Sequence, residues 1–436
     1  MSIRPSKKRS KAIVTAFAII SAVAMVLTGC SSGTAGTSSG NEKVTLTILD
    51  HYGNPPMSTG LTALIDQWNK ENPKIQVKQQ IVQFNDLLTT LNVRQTGGQG
   101  ADIMSAYALW GGQLASNGVL ATPPADVAQD IKENYAKSAV SAVTGSDGNA
   151  FGYPTEMTTY ALFYNKKLLA DAGYSDPPKT WDELKTMAKK LTKKDSSGNI
   201  KVLGLSVIQD GDMQTAHPFL SFLNAAGGQF LDASGNSALD ERAKDVMQLE
   251  SDLAATGATD TSIMPTKAFP SGTVAMAIQA GWWVGALKTQ MKDGYEDVGV
   301  VNVPGPAAGD HGSLAYSFFM GVNAHSKHQT EAWKFLSWLN GHKGADGATQ
   351  MGSFLAGVGM IPPRTADAEI LGPEKIGADA NLEPLYAAAD FAMAESGAPN
   401  AYKAKTSLHN ALMKILVDHA PVEKTFDSLV AEINKK

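Results

Sequence analysis

The sequence predicts an α/β protein of two lobes, and three observations predict it. Its 436 residues exceed what one ordinary hydrophobic core serves. From residue 44 onward, apolar alternation and helical stripes take turns, the pattern of a parallel sheet with covering helices. Residues 151–191 then read as a strand, a stiff crossing and a freshly capped helix, where the chain leaves one lobe and enters the other.

Composition narrows the class. The chain is 43% apolar and 18% charged, as in a soluble globular protein. A net charge of -5 argues against a nucleic-acid partner, because phosphate binding needs clustered Lys and Arg. The dense basic run is at the extreme N-terminus, where Arg4, Lys7, Lys8, Arg9 and Lys11 precede the apolar stretch 12–27. That stretch falls short of the ~20 residues a spanning helix needs. Leu27-Thr28-Gly29-Cys30 follows and resembles the bacterial lipobox. Residues 1–29 are therefore expected to be a lipoprotein signal peptide, and Cys30, the sole cysteine, the lipidated N-terminus of the mature chain. Residues 30–42 are a Gly/Ser/Thr tether, and no later segment is apolar enough to span. The body is expected to work at the extracytoplasmic face of the cell membrane, held there by its lipid.

The body opens with a strand over 44–49, in which Val44, Leu46 and Ile48 alternate. A helix over about 59–72 carries Leu61, Leu64, Ile65 and Trp68 on one stripe and stops before Pro73. Ile75 and Val77 mark the next strand, Phe84 opens a helix through Arg94, and 101–104 is a short buried strand. Ligands of such sheets sit off the carboxyl ends of the strands, which points to the loops after Leu49, Met104 and Tyr153. Further on, TYALFYNKK is aromatic and β-branched enough to be extended, and the two prolines of GYSDPPKT stiffen the turn after it. Thr180 caps a helix over 181–193, with Glu183 placed to complete a capping box. The second lobe continues with a strand over 202–207, a polar loop over 209–217 and an apolar helix over 218–226 ended by Gly227-Gly228. LDASGNSALD is a turn feeding a helix from about Asp240, and 274–278 is a strand ending in Gly281-Trp282-Trp283. Residues 298–322 return to sheet, Ser326 caps a helix ended by Gly341, and the remainder is mostly helical.

Four stretches, taken in order, resemble the family 1 extracellular solute-binding proteins, the carbohydrate-binding lipoproteins of bacterial ABC importers. They are YPTEMTTYALFYNKKLL with PPKTWDELKTMAKKL, then GTVAMAIQAGWW, then MGVNAHSKHQTEAWKFLSWL, then GMIPPR. With ADIMSAY and ASNGVL they span essentially the whole mature chain. The resemblance implies a periplasmic-binding-protein-like fold, each lobe a sheet flanked by helices, with the ligand in the cleft between. It gives lobe one residues 43–163 plus 298–342, and lobe two residues 164–297 plus 343–436. It also implies a non-catalytic, monomeric protein without cofactor or metal, whose partners are a mono- or oligosaccharide, the permease subunits of an ABC transporter, and the membrane through its anchor.

A pyranose has apolar C–H faces and a rim of hydroxyls, so aromatic platforms and planar polar groups should hold it. Trp282 and Trp283 lead the candidates, because the family places a sugar-stacking Trp there; neighbours on an extended segment face opposite ways, so Trp282 is expected to stack and Trp283 to pack. Tyr107 and Trp110 fall just after the ADIM strand, where the family often carries an acidic or aromatic contact; Ala108-Leu109 stands here in place of the charged pair of maltose-binding members. Glu156 and Thr158 lie at the crossover, with Tyr160 read as packing. Asp210, Asp212, Gln214 and His217 crowd one loop, Asp212 and His217 being favoured. Tyr316, Arg364, Tyr402, His51, Tyr52 and Asn85 complete the set, with a structural salt bridge as the competing reading of Arg364.

Two other classes stay open. A secreted carbohydrate-active enzyme needs two opposed carboxylates in one cleft, and acidic residues are plentiful. A binding protein for a non-sugar polar solute would share the architecture. No phosphate loop or dinucleotide fingerprint is present, and the one G-x-S-x-G-like run surrounds Cys30. His325 and His328 lack further ligands at metal spacing, and the loop from Asp232 has Ala243 where a calcium loop needs Glu.

Overall fold

The computed structural model describes residues 43–53, 56–145, 147–208, 215–232, 234–372 and 379–435. The expected signal peptide, Cys30, the expected tether and the loop holding Asp210, Asp212 and Gln214 lie outside these residues. Among the described residues no helix is long and apolar enough to cross a membrane.

Strands β1 (Val44–Asp50), β2 (Ile75–Ile81) and β3 (Ile103–Tyr107) are parallel and separated by the helices Met57–Glu71 and Phe84–Thr96. Crossover units of this kind follow from the alternating pattern of strand and helix. Leu61, Ile65 and Trp68 bury the stripe of the first helix, each contributing roughly 1.5–3 kcal/mol. The chain then runs through β4 (Tyr153–Asn165), β5 (Lys193–Lys194), β6 (Ile200–Ser206), β7 (Val274–Ala280) and β8 (Val298–Val301). It finishes its sheets with β9 (Val303–Pro304), β10 (His311–Gly312), β11 (Leu314–Val322) and β12 (Met393–Ala394). The main sheet is ordered β2-β1-β3-β11-β4-β7-β6-β5, with β8 added to β4 and β12 to β11.

The 13 residues of β4 join two halves of this sheet. Its first part, through Thr159, pairs antiparallel with β11; from Tyr160 onward it pairs with β7 and β8. The cores divide accordingly. Tyr153 belongs to a first core with β1, β3 and the helix Gln329–Gly341. Tyr160 and Leu162 belong to a second with the helices Ala216–Ala225, Glu241–Ala255, Ala401–Leu416 and Val422–Ile433. Phe163 and Trp283 belong to a third. β11 is shared likewise, with Phe318 in the first core and Leu314 in the second.

The crossing after β4 has the expected chemistry. Thr180 Oγ1 accepts the Glu183 N–H at 3.2 Å, and the Glu183 carboxylate reaches back to the Lys179 N–H at 2.7 Å, one residue before the cap. The helix Trp181–Leu191 lies so close on β6 that a Cβ at Gly204 would meet the Ala188 carbonyl oxygen at 1.8 Å.

Three local expectations are corrected. Ser326 does not cap the following helix: it accepts from the His328 N–H at 3.0 Å and donates to Asp102 at 2.6 Å, and the helix starts at Gln329. His217 is not in a loop, because the apolar helix begins at Ala216. Trp282 and Trp283 are not extended, since Trp282 is already in the α region and Trp283 is the first residue of the helix Trp283–Met291.

Candidate functional site

A cavity of about 550 Å³ lies where the first two cores meet, beside Trp282 and Tyr316, which pack against both. It sits off the carboxyl ends of β1 and β3, as parallel sheets favour. His51 comes from the loop after β1, and Tyr107 is the last residue of β3. The helix Phe84–Thr96 turns Phe84, Asn85, Leu88 and Thr89 toward the cavity, four residues at one-turn spacing. β4 supplies Glu156, β11 supplies Tyr316 and Phe318, and Met57 and Met360 fill in between. His217, Trp282 and Tyr402 arrive from segments after β4.

Aromatic rings dominate the walls. Phe84 and Trp110 are stacked at 5.6 Å and 13°, and Tyr107 meets the Trp110 ring edge-on at 5.5 Å. Tyr316 stacks on His217 at 5.5 Å and stands perpendicular to Tyr107 at 5.9 Å. His51 stacks on Phe318 at 4.1 Å. The Trp282 side chain hydrogen-bonds Tyr316, and burial raises the Tyr316 pKa, so this hydroxyl stays protonated at neutral pH. Such surfaces present rigid apolar platforms with polar tips.

Among the described lining residues one carboxylate appears, and no Lys or Arg. That carboxylate, Glu156, is 2% exposed. It accepts from the Tyr52 hydroxyl, and its Oε2 lies 3.6 Å from His51 Nε2. Beneath it Asp50 accepts the Tyr52 N–H at 2.9 Å, and burial raises the Asp50 pKa to about 6.

A second polar group lies behind the wall. Lys405, 1% exposed, donates to the Tyr107 hydroxyl at 2.7 Å and also contacts His217 Nε2 and Glu395 Oε1. Burial together with the Lys405 charge lowers the His217 pKa to about 4, so the imidazole is neutral at pH 7. Burial alone would raise Glu395, but Lys405 and His217 hold it down at about 2. Burial pulls the Lys405 pKa down against the Glu395 charge beside it, and with Glu395 ionised the pair is assigned as an ammonium and a carboxylate. With Nε2 accepting from Lys405, the His217 proton is assigned to Nδ1, facing the Tyr160 hydroxyl.

The structure brings Trp282, Glu156, Tyr107, Trp110, His217, Tyr316, Tyr402, Asn85 and His51 onto this one cavity. Others stand away from its lining. Trp283 is 0% exposed, packed between Phe163 and Phe269 with ring centroids at 5.2 and 5.0 Å. A helix start at this point sends it into the third core. Thr158 is buried in β4, where its Oγ1 accepts the Gly281 N–H at 3.1 Å and fixes the turn that presents Trp282. Tyr52 is buried behind Glu156 and orients it. Arg364 makes a two-pronged ion pair with Asp130 at 2.7 and 3.0 Å and lies over the Tyr135 ring, the salt-bridge alternative. Asp212 lies outside the described residues. Sequence reasoning missed Phe84, Leu88, Phe318, Met57 and Met360, which carry no polar signal, as well as Thr89 and the buried pair Lys405 and Glu395.

Comparison with known proteins gives concordant matches. A family model described as bacterial extracellular solute-binding protein matches residues 54–346. A binding protein of Brucella abortus is 26% identical over 278 residues, 62% of this chain and 65% of that protein, so the chain spans slightly less than two thirds of that relative's length. The diacetylchitobiose binding protein DasA of Streptomyces coelicolor is 26% identical over 283 residues, 60% of this chain and 62% of that one. Among solved structures, the GacH receptor of Streptomyces glaucescens, studied unliganded and with acarbose, has a TM-score of 0.75 at 24% identity, covering 90% of this chain and 97% of that one. That likeness establishes the two-lobed α/β fold.

Proposed function

The chain belongs to the family of bacterial extracellular solute-binding proteins, and we propose that it captures a mono- or oligosaccharide outside the cytoplasmic membrane and delivers it to the permease of an ABC transporter. The observation that carries this reading is the lining of the cavity. Its walls are aromatic, its polar groups are hydroxyls, an amide, imidazoles and one carboxylate, and no basic side chain is among the described lining residues. Stacked rings match the C–H faces of a pyranose, and the polar tips match its hydroxyl rim. A hydroxyl-bonding site also discriminates strongly, because a polar group left unpaired by the wrong sugar costs about 1–3 kcal/mol. The diacetylchitobiose of one relative and the acarbose of another support the same ligand class.

Trp282 is the platform in this reading, with Tyr316, Tyr107 and Trp110 as further ring contacts. Glu156 and Asn85 hold hydroxyls, His217 contributes its ring, and Asp212 would join from its loop. In this reading the protein binds without catalysis or cofactor, in keeping with its family of solute-binding proteins; an enzyme would instead need a pair of carboxylates flanking the glycosidic bond. We take the lobes in outline as 43–163 plus 298–342 and 164–297 plus 343–436, although the cores cross these borders: Tyr160, Leu162 and Leu314 pack in the second core, and Met351, Phe354 and Leu355 in the first. The lobes close on the sugar by hinge motion. The mature protein is a monomer anchored by lipid on Cys30, its tether leaving the body free to meet the permease.

A thermal-shift screen of residues 43–436 against mono- and oligosaccharides tests the function. Ligand at a hundred times its Kd stabilises by ~2.7 kcal/mol, which is several degrees at roughly 2–4 °C per kcal/mol. One sugar class should raise the melting temperature and be recovered intact. Consumption of the sugar would assign an enzyme, and a shift with amino acids or peptides alone would remove the carbohydrate reading.

A further inference from the structure

We propose that Lys405 and Glu395 are positioning residues for the ligand: a buried ion pair behind the cavity that fixes the orientation of two groups on its wall, Tyr107 and His217. The proposal rests on the assignment of the cavity as the ligand site. It starts from a count. An ammonium has three hydrogens to donate, and Lys405 has three acceptors around it, the Tyr107 hydroxyl at 2.7 Å, His217 Nε2 and Glu395 Oε1. Every hydrogen of the ammonium is thereby assigned, and two of the three go to side chains that line the cavity. Neither Lys405 nor Glu395 lines it.

The four groups come from four segments that share no local structure. Tyr107 ends β3, His217 is in the first turn of the helix Ala216–Ala225, Glu395 follows β12, and Lys405 is on the helix Ala401–Leu416. Tyr107 belongs to the first core, while the helix that carries Lys405 packs in the second. The ammonium also lies 5.1 Å from the centroid of the Tyr107 ring, so it constrains the ring as well as the hydroxyl. On the far side, Tyr160 closes on His217 Nδ1. The imidazole is held at both nitrogens in one tautomer, and in that state it stacks on Tyr316 at 5.5 Å. With both nitrogens committed, the imidazole offers a ligand its ring at one fixed tilt, and the Tyr107 hydroxyl, which accepts from Lys405, keeps its own hydrogen to donate.

A buried pair could also serve stability alone, and the two roles separate by mutation. Lys405→Met leaves a buried carboxylate unpaired, and should lower the melting temperature by on the order of ten degrees. Lys405→Met combined with Glu395→Leu removes both charges and fills the space, and should bring the melting temperature back to within a few degrees of wild type. The positioning role then shows in two readouts that stability does not move. The ¹⁵N resonances of His217 should report loss of the single tautomer in the double variant. The Kd for whichever sugar gives the largest shift with the wild-type protein should stay at least ~10-fold weaker. Tyr107→Phe, which keeps the ion pair and removes only the hydroxyl it holds, should weaken the same Kd with a smaller change in melting temperature, and keeps the test open if the double variant does not fold. Wild-type affinity in a folded double variant, or in Tyr107→Phe, would overturn the proposal, as would an unchanged His217 tautomer. If the wild-type protein bound no sugar, the function would fall, and the His217 resonances alone would decide the positioning role with the same meanings.

Discussion

Glu156→Gln isolates the charge at the base of the cavity. The substitution keeps the shape of the side chain and an oxygen to accept from Tyr52, so the packing of β4 should hold. What it removes is the carboxylate that faces the ligand. One oxygen of Glu156 is committed to the Tyr52 hydroxyl, and the other stands 3.6 Å from His51 Nε2, too far for a good hydrogen bond. That second oxygen is free to accept one or two sugar hydroxyls. Hydrogen bonds to a charged group are worth about 1.5–3 kcal/mol against roughly 0.5–1.5 for neutral pairs. The loss is therefore about 1–3 kcal/mol, or roughly 5- to 150-fold in Kd. Isothermal titration calorimetry with the sugar found in the panel reads this directly, and a melting curve checks that the fold is unchanged. An affinity within twofold of wild type, in a variant that melts normally, would refute the claim that Glu156 receives the ligand's hydroxyls.

Three further outcomes are expected. Trp282→Ala removes the platform that touches both cores, and should weaken sugar binding by ~30-fold or more; unchanged calorimetric affinity would take Trp282 out of the site. Glu250 is 0% exposed and burial raises its pKa well above the carboxylate range, so it is protonated when folded and ionises on unfolding. Stability from this group is complete below the unfolded pKa and declines as pH rises above it, by about 1.4 kcal/mol per unit until the folded group titrates. Glu250→Leu should therefore gain on wild type in urea melts as pH rises from 5 to 8, and a pH-independent difference would contradict the assignment. Cys30→Ala in the full chain should release the protein from the membrane fraction, whereas continued partition into detergent would count against lipidation at Cys30.

Part of the candidate site was legible because its residues are polar or aromatic beside a strand end, as at Tyr107, or on the strands where the halves of the sheet meet, as at Glu156 and Tyr316. Glu156, Tyr107 and Tyr316 stand where a parallel sheet and the crossover strand place ligand contacts. The Trp282–Trp283 step was readable in outcome but not in cause: one faces the cavity and one the core because a helix begins there. Phe84, Phe318, Met57 and Met360 were illegible, since nothing local tells an apolar residue that lines a cavity from one that fills a core. Lys405 did leave a signal. It falls on the stripe formed by Ala401, Ala404, Leu408, Ala411, Leu412 and Ile415, at i+4 from Ala401 and i-3 from Leu408. A cation on the apolar face of a helix calls for a buried partner, but no rule of spacing points from it to Glu395 or to Tyr107, 298 residues away. Arg364 shows the converse, a residue whose neighbours were unreadable until Asp130 was found beside it.

A crystal structure of residues 43–436 with the sugar selected by the panel tests the central claim most directly. The account predicts one pyranose ring stacked on Trp282, with hydroxyls on Glu156, in the cavity that Tyr107, Tyr316 and His217 enclose. Sugar bound elsewhere on the protein, with that cavity holding only water, would contradict it.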